Sequence, residues 1–197
     1  MSATPPSTHA HNTYRAYRAV IDALPRELTG QVIGGRLVVV PRPAIPHAKV
    51  AGSLNTLVAG PFQFGLGGPG GWWILPEPEL SLGLDPDFEP VVPDLAGWQR
   101  ASVAHLPDTA TCSIVPSWIC EILSPSTEDD DRAEKMPFYA RAGVDHGWLV
   151  DPLERTLEVF RRDGAVFRPS ATWRGDVKVR AAPFDDVELD LALVWPR

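Results

Sequence analysis

The chain has 197 residues, of which 44% are hydrophobic and 22% are charged, and this globular composition excludes disorder along the whole length. The net charge of −7 argues against avid nonspecific binding to nucleic acid but is compatible with a local basic cleft. The sequence contains no uncharged apolar stretch of about 18 residues, the length that would predict a membrane-spanning helix.

The N-terminal sequence predicts a short tail followed by one domain. Residues 1–12 are rich in Pro, Ser, Thr and His, so we expect a disordered tail there and a single domain over 13–197. The tail lacks the apolar core and cleavage site of a secretory signal, so we expect a cytoplasmic protein that does not bind membranes. Two cysteines, Cys112 and Cys120, are too few for a disulfide framework and are expected to be small core residues.

The first third of the chain predicts a helix, a hairpin and a second helix. Apolar spacing predicts a short helix from Tyr14 to Leu24. The sequence QVIGGRLVVVPRP then predicts a β-hairpin that turns at Gly34-Gly35. A second helix is predicted over 47–62. Its apolar face is expected to contain Val50, Leu54, Leu57 and Val58.

The remainder of the chain predicts mainly strands. WWIL, PELSL and PVVPDLAGW predict a meander of short strands, and SWICEIL predicts a further strand. A helix is predicted over about 128–142, ending at Gly143. Later strands are predicted at GWLVD, TLEVFRR, AVFRPSATW and KVRAAPF, and the tail VELDLALVW alternates like a half-buried strand. These elements indicate a mixed α/β or α+β domain.

Two carboxylates, Asp94 and Glu121, stand where the predicted strands are otherwise apolar. Burying a carboxylate is costly unless a cation or hydrogen-bond donors compensate for it. Glu121 could simply face water, but Ile119 and Leu123 on the same face of its strand are apolar. Its strand also ends at a junction with a helix, where catalytic groups are common.

The helix that follows contains Lys135, one of only three lysines in the chain. Thr127 could cap this helix, with Asp130 bonding back to it, and Asp131, Lys135 and Tyr139 would then share one face. Lys135 could form only a surface ion pair with Asp131, or it could reach the two strand carboxylates. Two carboxylates can hold Mg²⁺ and an ammonium can stabilise developing charge, which together allow metal-dependent phosphodiester cleavage.

Two long segments resemble a known family. VVPDLAGW and WICEILSPSTEDDDRAEKMPFYARAGVDHGWLVDP are similar to the Uma-type family of putative restriction endonucleases, within the PD-(D/E)xK nuclease superfamily. The resemblance extends over 24–195 and implies a restriction-endonuclease-like core, a central mixed β-sheet flanked by helices. It implies that Asp94 and Glu121 bind Mg²⁺, for which Mn²⁺ can substitute, with the Ile122 carbonyl as a further ligand. It also implies that Lys135 assists the attacking water and the phosphate.

The chain departs from the family pattern in specific places. The superfamily's short motif has a lysine two residues after the acid, where this chain has Leu123, so Lys135 would replace that lysine. Gln31 stands where many members carry a glutamate, and a glutamine cannot supply a charged ligand. Glu77 matches a frequently acidic position but is read here as a loop-edge charge. His47 could contact a phosphate, but we favour its role as the start of a helix.

The leading functional hypothesis is a Mg²⁺-dependent endonuclease that hydrolyses DNA. A homodimer is expected because two DNA strands need two sites, and the segment LDLALVW could supply a dimer edge or close the sheet. The alternative is a nuclease-fold binding or interaction module with reduced catalysis, consistent with the acidic net charge and Gln31. A nuclease for RNA or branched DNA is a third possibility. Five tryptophans could stack on bases, although core packing is favoured for most of them: Trp72, Trp73, Trp98, Trp118 and Trp148.

Overall fold

The structure, a computed structural model, describes residues 17–41 and 44–196. The expected tail at 1–12 and the expected helix start at Tyr14 lie outside the described residues. Helix α1 covers 17–22 and therefore ends before the expected Leu24. Strands β1 (Leu28–Ile33) and β2 (Arg36–Pro41) pair antiparallel and form the expected hairpin. Its turn residues, Gly34 and Gly35, both have positive φ, which glycine adopts without strain.

Helix α2 spans Ile45–Phe62 and begins two residues before the expected start. Pro46 lies in its first turn, where the ring's fixed φ suits a helix and the missing N–H costs nothing. The expected apolar face is confirmed: Val50, Leu54 and Val58 are buried and Leu57 packs against them. This stripe of side chains attaches α2 to one face of the central sheet.

A six-stranded mixed sheet forms the centre of the structure and confirms the expected architecture. In spatial order its strands are β3 (Trp72–Pro76), β4 (Leu95–Gln99), β5 (Trp118–Ile122), β6 (His146–Asp151), β7 (Thr156–Asp163) and β8 (Val166–Arg174). All neighbouring strands are antiparallel except β5 and β6, which are parallel. A parallel pair needs a crossover connection, and here a helix supplies it.

That crossover helix, α3, covers 128–142 as expected, but it is not a uniform α-helix. Its segments are α-helical at Glu128–Asp130, π-helical at Asp131–Lys135 and α-helical at Met136–Ala142. The Met136 N–H bonds to the carbonyl of Asp131, five residues back, which defines the π turn. Gly143, with φ of +101°, ends the helix. Thr127 is the N-cap residue as expected, but its hydroxyl lies 2.9 Å from Ser124 Oγ and makes no cap hydrogen bond.

The connection between β3 and β4 contains less strand than expected. PELSL contributes isolated bridges from Leu80 to Val91 and Cys112 rather than a strand of the sheet. A 3₁₀ turn at Pro86–Phe88 follows in the same connection. The reason is local: prolines at short intervals remove the N–H groups that a continuous ladder requires.

The C-terminal tail also differs from its expected form. Only Leu189–Asp190 is a strand, β10, and it pairs with β9 (Lys178–Val179) outside the central sheet. Asp190 accepts a bond from the Ala192 N–H and opens a 3₁₀ turn at Leu191–Leu193, which ends the strand after two residues. Leu191 and neighbouring apolar residues are buried in the core, so this segment is not a free sheet edge.

Each face of the sheet carries its own apolar layer. One layer lies under α2 and the C-terminal tail, and the other lies under α3. The favoured core role of the tryptophans is confirmed for most of them, since Trp72, Trp98, Trp118 and Trp148 are buried. Both cysteines are buried and free, as expected. In the described part of the chain, no helix has the length and apolarity needed to cross a bilayer.

Candidate active site

The pairing of β4 with β5 brings the two predicted carboxylates together. Leu95 pairs with Cys120, so Asp94, directly before Leu95, and Glu121, directly after Cys120, occupy the next opposing positions. Asp94 Oδ2 accepts a hydrogen bond of 2.6 Å from the Ile122 N–H. This bond attaches the residue before β4 to the end of β5 and orients the Asp94 carboxylate.

Glu121 projects from β5 toward α3 rather than toward water. Its Oε1 accepts a 2.8 Å hydrogen bond from the Tyr139 hydroxyl, and its Oε2 lies 3.0 Å from Lys135 Nζ. The side chain is 1% exposed, so these donors replace the water that a carboxylate on a surface strand would have. The alternative that Glu121 faces solvent is therefore wrong.

Lys135 lies in the same buried cluster and does not form the surface ion pair that the sequence left open. Its Nζ lies 2.8 Å from Asp131 Oδ1 as well as against Glu121. Glu121, Asp131 and Lys135 are the buried charged residues of the described chain, each exposed by 3% or less. Asp131 and Lys135 are the two ends of the π turn, a local irregularity that is frequent at functional sites.

Burial and an excess of negative charge set the electrostatics of this cluster. Burial raises the pKa of Glu121 to about 8, and the carboxylates of Asp131 and Asp94 act in the same direction while Lys135 opposes them. Burial likewise raises the pKa of Asp131. For Lys135, burial favours a lower pKa, but the charges of Glu121, Asp131 and Asp94 outweigh it and raise the pKa. The ammonium therefore stays charged while Glu121 retains a proton to an unusually high pH.

His47 is a residue of the site that sequence reasoning undervalued. It lies in the first turn of α2, and its Nε2 is 3.2 Å from Asp94 Oδ1. Burial favours a lower pKa for His47, but the bond to Asp94 and the charge of that carboxylate raise the pKa. Its Nδ1 is buried without a hydrogen-bond partner among the described residues. No local pattern indicates this contact, because it depends on α2 starting beside β4.

The side chains of the site, apart from Tyr139, line one cavity of about 380 Å³. Asp94, Glu121 and Lys135 all line it, so the structure brings the three predicted site residues to one place. Gln31 also lines the cavity, where its amide oxygen accepts a 3.1 Å bond from the Val92 N–H. Glu77 is exposed and lies at the edge of the same cavity.

Comparison with known proteins identifies the family. A family model named Uma2 and described as "Putative restriction endonuclease" matches residues 15–192. The chain belongs to this family. A crystal structure of a putative nuclease belonging to DUF820 from Anabaena variabilis ATCC 29413 is 19% identical, with a TM-score of 0.64 over 90% of this chain and 96% of that one. That likeness shows the shared fold. No curated protein matches the chain.

The donor set of this Uma2-family chain suits a magnesium ion by chemical type. No group of three or more His, Cys, Asp or Glu side chains within 17–41 and 44–196 is arranged to hold a metal. Mg²⁺, however, is usually held by one or two carboxylates completed by water and phosphate oxygens. Asp94, Glu121 and Asp131 bring carboxylate oxygens to the cavity, and a bound cation would favour the ionised form of Glu121, whose proton it would displace.

Proposed function

We propose that this Uma2-family protein is a Mg²⁺-dependent endonuclease that hydrolyses DNA phosphodiester bonds, with Mn²⁺ able to replace Mg²⁺. The observation that supports the proposal most strongly is the buried Lys135 ammonium against Glu121, in a cavity that Asp94 also lines. Burying three charged side chains is costly for folding, and a buried ion cluster is weak evidence for stability. A catalytic role gives a reason for the chain to keep such a cluster.

In this proposal the two carboxylates hold the metal ion. Asp94 and Glu121 supply charged oxygens, and the main-chain carbonyl of Ile122 is a further ligand. A bound Mg²⁺ would polarise the scissile phosphate and lower the pKa of a water molecule. Glu121 must lose its proton to act as a ligand, so metal affinity is expected to rise as the pH approaches about 8.

Lys135 is proposed to act on the phosphate and on the attacking water. Its raised pKa keeps the ammonium charged at neutral pH, and its burial strengthens its electrostatic effect on a phosphate in the cavity. The Tyr139 hydroxyl and the Asp131 carboxylate contact Glu121 and Lys135 respectively, and so restrict the positions of both groups. Such restriction favours a productive geometry before the substrate arrives.

The experiment is plasmid cleavage at low salt with matched variants. We expect the wild-type protein to nick or linearise DNA with Mg²⁺ or Mn²⁺ and to leave it intact with EDTA. Asp94→Asn and Glu121→Gln should abolish cleavage in folded protein. Asp129→Asn, an exposed change of the same charge near the start of α3, is the control and should cleave normally. Undiminished cleavage by both site variants would contradict the proposal.

One other outcome would favour the alternative function. If the folded wild-type protein binds neither Mg²⁺ nor Mn²⁺ in calorimetry and cleaves neither DNA nor RNA, the nuclease fold serves binding or interaction instead. RNA cleavage without DNA cleavage would keep the chemistry and change the substrate. These results are separable because metal binding is measured independently of cleavage.

We further propose a cytoplasmic homodimer. The buried free thiols of Cys112 and Cys120 are consistent with a reducing compartment. One site cuts one strand, so two copies would be needed to cut a duplex. Sedimentation at micromolar concentration tests this: a mass of two chains is expected, and a single-chain mass with double-strand cleavage retained would contradict it.

A further inference from the structure

Lys135 has two carboxylate neighbours, and only one of them is a proposed metal ligand. Its Nζ lies 3.0 Å from Glu121 Oε2 and 2.8 Å from Asp131 Oδ1. Asp131 is 2% exposed and also lines the cavity. Lys135 therefore has one carboxylate neighbour that the proposed metal would engage and one that it would leave free. The role of the second neighbour, Asp131, needs an explanation.

The helix is distorted where it joins these two residues. Asp131 and Lys135 are the first and last residues of the π turn, and the Met136 N–H reaches back to the Asp131 carbonyl. In a regular α-helix, residues four apart are offset by about 40° around the axis, because 3.6 residues complete a turn. The wider π turn changes this offset, and both side chains line the same cavity.

Engaging Glu121 with a cation would remove one of the partners of Lys135. The cation would share the Glu121 charge and repel the nearby ammonium. Asp131 would then be the remaining carboxylate in contact with Nζ. We propose that Asp131 is a positioning residue that keeps the Lys135 ammonium in the cavity when Glu121 is occupied by metal. This inference rests on the proposed nuclease function.

The first test uses Lys135 itself as the reporter. The chain has three lysines, of which Lys49 and Lys178 are exposed and Lys135 is buried, so ¹³Cε-lysine labelling gives three assignable NMR signals. We expect Mg²⁺ to leave the Lys135 signal in a buried, charged environment in the wild type. In Asp131→Asn, Mg²⁺ should move this signal toward the position of an exposed lysine. Asp129→Asn is the control.

The second test measures kinetics with a double-mutant cycle. Asp131→Asn should lower kcat by roughly 10- to 100-fold through mispositioning of the ammonium, while Mn²⁺ affinity and KM stay close to wild type. In a Lys135→Met background the same change should have no further effect on kcat. A merely structural Asp131 would cost activity in both backgrounds. Asp131→Ser is a second variant if the Asn variant does not fold.

The possible failures are distinguishable. Suppose that the wild-type protein is active and that Asp131→Asn keeps both its kcat and its Lys135 signal. This result would overturn the positioning role of Asp131 and leave the nuclease proposal intact. Wild-type protein that binds neither Mg²⁺ nor Mn²⁺ in calorimetry and cleaves nothing would overturn the proposed function, and the role of Asp131 with it.

Discussion

The buried carboxyl group of Glu121 should make the stability of the protein fall as pH rises. Glu121 is 1% exposed, and burial raises its pKa from the ordinary 4.5 to about 8. Between these values the native chain keeps the proton and the unfolded chain has lost it. The free energy of unfolding should therefore decrease with pH by about 1.4 kcal/mol per pH unit, or about 3 kcal/mol from pH 5 to pH 7. Glu121→Gln, which cannot ionise, should remove this contribution.

Urea unfolding at pH 5, 6 and 7 measures the effect as a difference between variant and wild type. We expect Glu121→Gln to gain stability relative to wild type by about 3 kcal/mol over that range, because only the wild type must bind a proton on folding. Glu154→Gln removes a carboxylate from an exposed surface position and should show no such trend. A difference that does not change between pH 5 and pH 7 would refute the reasoning and show that Glu121 ionises like an exposed glutamate.

Three further substitutions test single contacts of the site. Lys135→Met should destabilise the fold by about 3–5 kcal/mol in urea unfolding, because it leaves buried carboxylates unpaired. It should also lower DNA cleavage without weakening Mn²⁺ binding, and unchanged cleavage would contradict the proposed role of Lys135. Tyr139→Phe should cost about 1–2 kcal/mol in thermal unfolding by removing the donor to Glu121, and no loss would show that this bond is unimportant. His47→Ala should weaken Mn²⁺ binding roughly tenfold in calorimetry by freeing Asp94, and equal affinity would limit His47 to a packing role.

Much of the fold follows from local sequence signals. The Gly34-Gly35 turn, the apolar stripe of α2 and the Gly143 stop each depend on a few neighbouring residues, and the structure confirms all three. The tail pattern VELDLALVW predicted a longer strand than the structure has, because Asp190 caps a 3₁₀ turn there. The turn buries Leu191 and exposes Leu193, although both are apolar positions of the same alternating pattern. Local alternation therefore does not distinguish the two structures.

The grouping of the candidate side chains was predictable where its signals were local and unpredictable where they depended on tertiary contact. Asp94 and Glu121 each interrupt an apolar run, and helical spacing places Lys135 on one face with Asp131 and Tyr139, so the sequence indicates all three candidates. Pro137, directly after the π turn, signals an irregularity in the helix but not its form. The contact of His47 with Asp94 joins segments far apart in the chain. Such contacts depend on how the elements pack rather than on which elements form.

The central claim is that Asp94 and Glu121 share a divalent cation beside Lys135. A crystal soaked in Mn²⁺ and read through its anomalous signal tests this directly. We expect a peak between the two carboxylates, with the Lys135 ammonium still in contact with Asp131 in the same cavity. No peak at the two carboxylates, in crystals of protein shown to cleave DNA with Mn²⁺, would contradict it.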